Sequence, residues 1–433
     1  MKNINKLTYL IILTFFINFQ FFGQNLTDVE KKIIASVNQN MPEAEKLLEK
    51  VCNINSGTLN IEGVKAVGKI FNDEFQKIGF QTDWISLPDS LRRAGHLVVS
   101  RKGNQGKKLF LIGHLDTVFE KDMPFTPFTR LNDSTATAQG ANDMKGGDVV
   151  IWAALKALQA HGLLENTTIT AYFTGDEESA GKPTSISRAD FIESAKKHDI
   201  ALGFETAIGL HIAATARRGA SGWKLKTYGK VGHSSRVFSP ESGFGSIYEA
   251  ARILDEFREI LSKERYLTFN PGVIVGGSDV IYDETKAKAE ALGKTNIISP
   301  LTIVTGDLRF ITEQQKENAR AKMREIVAKN LRGTKAEITF SDGIPAMEPS
   351  DGNEKLVEVL SKVSEDIGIG KVNAGDPGSR GAGDISYIAK YVDCIDGLGA
   401  SGNGAHAPGE TINLKELPFL IQRAAILIYR LTR

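Results

Sequence analysis

Cysteine is scarce in this chain, and its scarcity excludes two kinds of architecture. The 433 residues include only Cys52 and Cys394. Two cysteines can build neither a scaffold of several disulfides nor a zinc site made of cysteine thiolates. We expect both to be buried free thiols, and a single bridge between them stays an alternative for an oxidising compartment.

A net charge of either sign is also missing. Lysine and arginine together number 53, and aspartate and glutamate together number 52. A chain with this balance has no overall field that would attract nucleic acid or an anionic membrane, so we expect neither as a partner. Hydrophobic residues at 41% and charged residues at 24% are typical of a globular protein, and the length predicts two or three domains.

A long membrane-spanning run is missing too, although the N-terminus is apolar. Lys2 and Lys6 precede an apolar stretch over residues 7–22, which Asn18 and Gln20 interrupt. A charged segment before a short apolar run is typical of a secretory signal, and the run is too short and too polar to favour a stable membrane span. We predict a signal peptide over residues 1–24 and export to the periplasm or the extracellular space. An uncleaved anchor is the alternative.

Up to residue 216 the sequence alternates between helix and strand patterns. Apolar residues at three-and-four spacing predict helices over 26–55 and 60–79. Strands are predicted at 81–85, 96–100 and 109–112, and helices and strands alternate again from 144 to 206. This alternation predicts a doubly wound α/β domain, whose ligands should gather at the carboxyl ends of the strands.

After Arg217 the order becomes strand, helix, two strands, helix and strand. This βαββαβ order is that of a small ferredoxin-like sandwich. Near Glu354 the earlier alternation resumes and continues to the end. The sequence therefore predicts an α/β fold in which one domain, residues 25–216 and 343–433, is interrupted by an inserted domain, residues 217–342.

Acidic and imidazole side chains follow several predicted strands of the α/β domain. They occur in GHLDTV (His114, Asp116), GANDMKGG (Asp143), TGDEESAG (Asp176, Glu177, Glu178), GFET (Glu205) and GNGAHAPGE (His406). Each alone is a weak signal, but the sheet brings the strand ends to one edge. Unpaired carboxylates and imidazoles would destabilise one another there, and divalent cations remove that cost. Oxygen and nitrogen ligands without thiolate favour zinc, and less so manganese or cobalt.

The motifs GHLDTV, GANDMKGG, GDEESAG, FET and GAHAPGE occur in this order. Together they resemble the motif set of the M20 family of zinc metallopeptidases, which contains glutamate carboxypeptidases, aminoacylases and dipeptidases. The resemblance covers nearly all of the chain after the signal segment, including the inserted domain, and is strongest to the carboxypeptidase G2-like branch. It implies a zinc-peptidase-type catalytic domain with an inserted lid and dimerisation domain.

The resemblance also implies the metal ligands. His114, Asp143 and Glu205 would hold one zinc ion. Asp143, Glu178 and His406 would hold the other, so that the Asp143 carboxylate bridges the two ions. A cis peptide bond is expected after the bridging aspartate, between residues 143 and 144.

Two further carboxylates receive roles from the same resemblance. Asp116 would accept the second ring N–H of His114 and so fix which ring nitrogen binds metal. Glu177 would be the general base and later the general acid: it takes a proton from a water that two zinc ions activate, and returns that proton to the leaving amine.

The inserted domain and one glycine-rich loop carry the remaining candidates. His233 in GKVGHSSR resembles a lid histidine that reaches the partner subunit's active site and stabilises the oxyanion, which implies a homodimer through the lid. Asn296 in TNIISP and Arg309 in GDLRF resemble residues that bind a substrate's free carboxylate. Arg380 in GDPGSRGAGD either binds substrate or belongs to a simple turn.

One departure from the branch concerns selectivity. Relatives that select a C-terminal glutamate have arginine where this chain reads FSDGIPAM, with Asp342 and Ile344. Glutamate selectivity is therefore in doubt, and the metal chemistry is not affected. We predict a secreted dizinc exopeptidase that releases a C-terminal amino acid from a small peptide or N-acyl amino acid. The alternatives are an aminoacylase or dipeptidase on the same scaffold and, in another class, a periplasmic solute-binding protein.

Overall fold

The structure is a computed structural model, and it describes residues 26–284 and 288–433. The predicted signal peptide, residues 1–24, lies outside the described residues. Across the two described ranges, none of the helices combines the length and the apolar composition that a membrane crossing requires.

The helices largely follow the predicted patterns. They are α1 (Asp28–Cys52), α2 (Ile61–Lys77), α3 (Gly146–Gln159), α4 (Thr184–Ser187), α5 (Ala189–Ala195), α6 (Gly245–Leu261), α7 (Glu313–Val327), α8 (Asp351–Asp366) and α9 (Leu417–Leu431). Helix α1 begins with a capping box, in which the Thr27 hydroxyl accepts the Glu30 N–H and the Glu30 carboxylate accepts the Thr27 N–H. Helix α2 is followed by Gly79 at φ 81°, as expected of a glycine that ends a helix.

The strands form a large mixed sheet, a lid sheet and three small sheets. They are β1 (Gln81–Ile85), β2 (His96–Arg101), β3 (Gln105–His114), β4 (Thr129–Asn132), β5 (Thr135–Thr137), β6 (Thr167–Thr174), β7 (Ile200–Gly203), β8 (Ile212–Ala213), β9 (Gly219–Gly229), β10 (Thr268–Gly277), β11 (Asp279–Asp283), β12 (Lys288–Leu292), β13 (Leu301–Phe310), β14 (Thr334–Asp342), β15 (Asn373–Ala374), β16 (Asp393–Ile395), β17 (Gly402–Asn403) and β18 (Thr411–Asn413).

The large sheet has the order β1-β2-β6-β3-β7-β16. Strands β6, β3, β7 and β16 are parallel, whereas β1 and β2 add an antiparallel edge. Side chains of β3 alternate between two cores. Leu109 and Leu111 pack in the core that contains α1, α3 and α9, and Phe110 and Ile112 pack in the core on the opposite face. Both faces are therefore covered, as the prediction of a doubly wound α/β domain requires.

A small sheet of order β17-β18-β5-β4 stands beside this domain. Its strands are so short that sequence periodicity did not predict them. The pairing of β18 with β5 is antiparallel, and it brings the loop after β17 next to the turn Ala141–Lys145 that precedes α3. These two segments carry His406 and Asp143.

The inserted domain is a ferredoxin-like sandwich, as predicted. Strands β9, β10, β13 and β14 form an antiparallel sheet of order β10-β13-β9-β14. Helices α6 and α7 cover one face through an apolar core that includes Leu225, Phe257, Val304 and Met323. The α/β fold with an inserted lid is thus confirmed, and the exact domain limits at 216/217 and 342/343 stay a proposal.

One element of the inserted domain was not predicted. Between β10 and β13 the chain forms an additional antiparallel hairpin, β11–β12. Tyr282 of this hairpin contacts Thr305 of β13 through their hydroxyl groups, 3.2 Å apart. Strand β12 (KAEAL) mixes charged residues with alanine, and β11 (DVIYD) has only three apolar residues between two aspartates, so neither has the apolar alternation of a half-buried strand.

The two cysteines lie in different elements. Cys52 ends α1 and Cys394 lies in β16, and both are buried free thiols. The expectation of two free thiols is confirmed, and the alternative of a bridge between them is wrong.

Candidate metal centre and active site

The predicted ligands meet at one edge of the large sheet because three parallel strands end there. His114 is the last residue of β3, the acidic turn 176–178 follows β6, and Glu205 follows β7. The Leu115 N–H donates to the Thr174 carbonyl at 2.7 Å, so the ends of β3 and β6 stay side by side. The topology of the sheet therefore positions one imidazole and several carboxylates together.

The first half of the cluster is built around His114. The Nε2 atom of this ring lies 3.2 Å from Asp143 Oδ1 and 3.6 Å from Glu205 Oε1. The Nδ1 atom lies 3.0 Å from the Asp116 carbonyl oxygen. Because a carbonyl oxygen only accepts, Nδ1 donates to it, and Nε2 is the ring atom that faces the two carboxylates and would bind a metal ion placed between them.

The second half is built around His406. Its Nε2 atom lies 3.0 Å from Asp143 Oδ2 and 3.2 Å from Glu178 Oε2. Asp143 therefore directs one oxygen at each histidine, Oδ1 at His114 and Oδ2 at His406. The Asp143–Met144 peptide bond is cis, as the resemblance implied.

Asp116 is fully buried, and its contacts differ from the expected one. Its carboxylate lies 3.4 Å from His114 Nδ1, farther than its own carbonyl oxygen. The carboxylate mainly accepts other hydrogen bonds: from the Glu177 N–H at 3.0 Å, the Glu178 N–H at 3.1 Å and the Thr58 hydroxyl at 2.5 Å. Asp116 thus holds the backbone of the acidic turn as well as the ring of His114.

Glu410 is a residue of the site that sequence reasoning missed. Its side chain is buried, and its two oxygens accept the N–H groups of Gly140 at 3.0 Å, Asn142 at 2.7 Å and Asp143 at 2.9 Å. The carboxylate therefore fixes the turn that presents Asp143. The one signal in the sequence was its place four residues after His406, in the quoted motif GAHAPGE.

A buried arginine supports the acidic turn from behind. Arg188 donates to Asp176 Oδ1 at 2.5 Å and to the Asp176 carbonyl at 3.1 Å. Its Nε atom donates to Asp384 Oδ1 at 2.7 Å, and the Thr174 hydroxyl donates to the other oxygen of that carboxylate at 2.6 Å. Asp176, one of the three acids of the DEE turn, is thus a structural partner and faces away from the metal cluster.

The close carboxylates shift one another's pKa values. Burial and the Asp143 carboxylate raise the pKa of Glu205 to about 7. Burial and the Glu205 carboxylate raise the pKa of Glu177 well above its ordinary value. Hydrogen bonds with Asp143 and a second carboxylate raise the pKa of His406 to about 11. The cluster therefore concentrates negative charge that cations or protons must balance.

The residues present fit a pair of divalent metal ions. Ligand atoms of His114, Asp143 and Glu178 lie within 4.8 Å of one another, and the same holds for His114, Glu177 and Glu205. Glu178 Oε1 is buried and, in the described part of the chain, has no hydrogen-bond partner. Nitrogen and oxygen donors without thiolate suit zinc, manganese or cobalt. Distance alone does not separate Glu177 from the ligands.

A cavity of about 280 Å³ opens beside the cluster. Asp143, Glu177, Glu205 and His406 line it, and so does Arg380 with its neighbours in the glycine-rich loop. Of the predicted substrate-binding residues, the structure therefore brings Arg380 to the metal cluster.

The three predicted lid residues do not line this cavity in the described chain. His233 is exposed, and its Nδ1 atom contacts the Ser235 hydroxyl at 2.9 Å. The Asn296 carbonyl accepts the N–H of Ser234 at 2.9 Å, so this asparagine is a neighbour of His233. Arg309 lies on β13 and donates to Asp307 at 2.9 Å. Their roles stay predictions.

Comparison with known proteins identifies the family to which this chain is similar. Residues 110–430 match the model of the peptidase family M20/M25/M40. Carboxypeptidase G2 of Pseudomonas sp. (strain RS-16) is 29% identical over 392 residues, which cover 89% of each chain. Among solved structures, aminopeptidase PepT from Bacillus cereus ATCC 10987 superposes with a TM-score of 0.75 at 18% identity, covering 91% of this chain and 99% of that chain.

A further solved structure is similar in fold. The YXEP protein of Bacillus subtilis, described as a dinuclear metal binding peptidase from the M20 family, superposes with a TM-score of 0.65 at 13% identity and covers 91% of this chain and 99% of that one. At this identity the likeness carries the fold alone. Since the family match spans about three quarters of the sequence, from the middle of β3 into α9, the chain belongs to the peptidase family M20/M25/M40 and is a hydrolase of that family.

Proposed function

We propose that this chain is an exported, dizinc exopeptidase that releases a C-terminal amino acid from a small peptide or an N-acyl amino acid. The observation that carries the proposal is the Asp143 carboxylate, which directs one oxygen at His114 and the other at His406. A carboxylate shared in this way, with Glu205 on one side and Glu178 on the other, supplies two three-ligand sites, each with room for water or substrate.

The residues divide the chemistry among them. When bound, divalent metal ions polarise the scissile carbonyl and lower the pKa of water. Glu177 lines the cavity, and burial and nearby carboxylates raise the pKa of its side chain. It takes the proton of the attacking water and passes it to the leaving nitrogen, which departs as an amine. Its backbone N–H donates to Asp116, so the base stays aimed into the cavity.

Arg380 is the residue of the same chain that would bind the substrate's free carboxylate. A guanidinium group forms paired hydrogen bonds with a carboxylate, and Arg380 lines the same cavity as the metal ligands. Asp342, which stands where the branch has arginine, is bound by Arg320 of α7 at 2.7 Å and adds no positive charge. We therefore expect a preference for neutral over acidic C-terminal residues.

A hydrolysis panel tests the proposal. Benzyloxycarbonyl-amino acids ending in alanine, phenylalanine, lysine and glutamate are compared with N-acetyl amino acids and free dipeptides, and the released amino acid is quantified. We expect release from the benzyloxycarbonyl substrates, loss of activity with a chelator, and recovery with Zn²⁺. Preference for N-acetyl amino acids or for free dipeptides would instead support the aminoacylase or dipeptidase alternative. The solute-binding alternative is wrong, since the family is one of hydrolases.

The lid histidine is proposed to act across a homodimer. His233 is exposed in a chain that carries its metal cluster elsewhere, which is what a residue serving a partner's site requires. A mixture of His233→Ala and Glu177→Gln subunits should regain activity, because each mixed dimer contains one complete site. A fully active monomer in sedimentation would contradict this role.

A further inference from the structure

Arg217 stands at the boundary between the two domains. Its backbone N–H donates to the Met347 carbonyl at 2.9 Å, and its carbonyl accepts the Met347 N–H at 3.0 Å. These residues belong to the two chain segments that connect the α/β domain with the lid, just before β9 and shortly after β14. The backbone of Arg217 is thus part of the paired connection between the α/β domain and the lid, which is where a hinge between them would lie.

The side chain of Arg217 points back into the α/β domain. Its Nε atom donates to the Gly381 carbonyl at 2.6 Å, and Nη2 donates to the Ala382 carbonyl at 3.0 Å. Its Nη1 atom forms an ion pair with Asp396, which is buried and follows β16. Three separate hydrogen bonds from one rigid guanidinium group therefore fix two carbonyls of the glycine-rich loop to the end of the large sheet.

The bound loop is a wall of the cavity. Arg380, Gly381 and Ala382 line it together with Glu177 and Glu205, and Arg217 itself lines it too. Beyond them, Gly383 packs directly on the guanidinium group: a Cβ atom at this position would lie 2.6 Å from Nη1 of Arg217. The position of the wall is thus set by the position of that one group.

We propose that Arg217 is a positioning residue that couples the lid hinge to the substrate-facing wall of the cavity. Its backbone is hydrogen-bonded to Met347 in the connection to the lid, and its side chain binds the two carbonyls that follow Arg380. When the lid moves, the guanidinium group transmits the movement to the wall, and Arg380 is moved into or away from the place where a substrate carboxylate binds. The inference rests on the proposed function in one respect, that this cavity binds the substrate.

The proposed role of Arg217 concerns substrate binding, measured by KM, and not the chemical step, measured by kcat. Arg217 is not a predicted metal ligand, and its three hydrogen bonds go to the loop and to Asp396. Arg217 also lines the cavity, and its positive charge acts on Glu205 and Glu177. A variant that keeps this charge and weakens the hydrogen bonds should therefore change KM and leave the base and the metal ligands in place. A merely structural role would lower stability and metal content without such a split.

The test uses two variants and a neighbouring control. Arg217→Lys keeps a cation for Asp396 but cannot reach both carbonyls at once. Gly383→Ala keeps Arg217 and displaces its guanidinium group sterically. Arg218→Lys is the control, because Arg218 is the next residue and, among the described residues, its side chain has one hydrogen bond, to the Thr268 hydroxyl of the lid.

Two readouts are measured on the full-length protein with bound zinc. Steady-state kinetics with the preferred substrate of the panel should give a KM raised about tenfold in both variants, with kcat changed by about threefold or less. Limited trypsin digestion, followed by mass spectrometry, should show faster cleavage after Arg380 in both variants, since the loop is released. The control should match the wild type in both, and the zinc content of all four proteins should be equal.

The outcomes separate this inference from the proposed function. If the wild type hydrolyses no substrate of the panel, the proposed function fails, and the rate of cleavage after Arg380 still decides whether Arg217 holds the loop. If both variants keep the wild-type KM and cleavage rate, the inference is overturned. It is also overturned if kcat and zinc content fall together with the rise in KM, because Arg217 would then support the metal centre and not the wall.

Discussion

The two halves of the metal cluster are built to very different degrees of rigidity. His114 ends a central strand, its side chain is 1% exposed, and its second ring nitrogen donates to a backbone carbonyl. His406 lies in the loop between β17 and β18, its side chain is 58% exposed, and its φ is 65°. We therefore expect the first half to be organised before metal binds, and the His406 loop of the second half to be ordered further by the metal.

This difference follows from where each half comes from in the fold. Strand ends of a buried sheet have few alternative conformations, so placing a ligand there costs little further entropy on binding. A surface loop has many alternative conformations, and the entropy lost when it is ordered lowers the metal affinity of its site. We therefore expect two unequal metal sites that share Asp143 and serve one base.

The largest expected effect concerns that shared base. Glu177→Gln removes the proton acceptor and keeps the shape of the side chain, so turnover should fall about 10²–10⁴-fold. Both metal ions should stay bound, as measured by elemental analysis after gel filtration. Glu178→Gln is the comparison, and it should lose metal from the His406 half. Retained turnover in Glu177→Gln would remove Glu177 from its role, and lost metal would make it a ligand, which its distances to His114 and Glu205 allow.

The next effect tests the inequality of the halves. His406→Ala should keep about one zinc ion per chain at micromolar free zinc, because the buried half remains complete. His114→Ala should lose most of both zinc ions, because the ring also positions Asp143. Its Nε2 atom lies 3.2 Å from the Asp143 carboxylate. Zinc titration by calorimetry measures both variants against the wild type. Equal losses in the two variants would show that exposure does not decide affinity here.

The rigid half was also the half that the sequence predicted best. The apolar run that ends in His114 is a local pattern, and the end of a buried strand can be located from it without knowing the rest of the chain. His114 ends such a strand, and Asp116, Glu177 and Glu205 follow strands of this kind. Glu178 of the second half follows one as well, so His406 is the ligand that this pattern does not locate. Their convergence required only the rule that parallel strands end at one edge.

Residues that act through long-range backbone contacts were missed for a physical reason. Glu410 accepts the N–H of Gly140, a contact that spans 270 positions of the chain. Arg217 binds the carbonyls of Gly381 and Ala382, and any residue type has a carbonyl. A contact to a backbone N–H or carbonyl does not require a particular residue type at that position. The sequence therefore does not indicate such contacts, and only the folded structure shows them.

A smaller effect is expected from Asp116. In Asp116→Asn, the amide nitrogen replaces one of the oxygens that accept the N–H groups of Glu177 and Glu178, so one donor faces another. Zinc affinity or activity should fall about 10–100-fold without loss of the site. Thr58→Val is the matched control, because it removes only the hydroxyl that donates to the same carboxylate. If this control fell as far as Asp116→Asn, the effect would come from the hydroxyl contact and not from the acidic turn.

The smallest effect is expected from Glu410, and it should fall equally on both halves. In Glu410→Gln, one of the two acceptor oxygens becomes a donor facing the turn that carries Asp143. Leaving a buried N–H without its acceptor costs about 1–3 kcal/mol of unfolding free energy, measurable in urea, and the loosened Asp143 should weaken both zinc sites by about tenfold or less. Glu416→Gln is the control for removing an acid nearby, because among the described residues the Glu416 carboxylate accepts one hydrogen bond, from the Ser401 hydroxyl. Because Asp143 is the one ligand common to both halves, loss of a single zinc equivalent in Glu410→Gln would mean that the turn positions one half alone, and the bridging role of Asp143 would have to be given up.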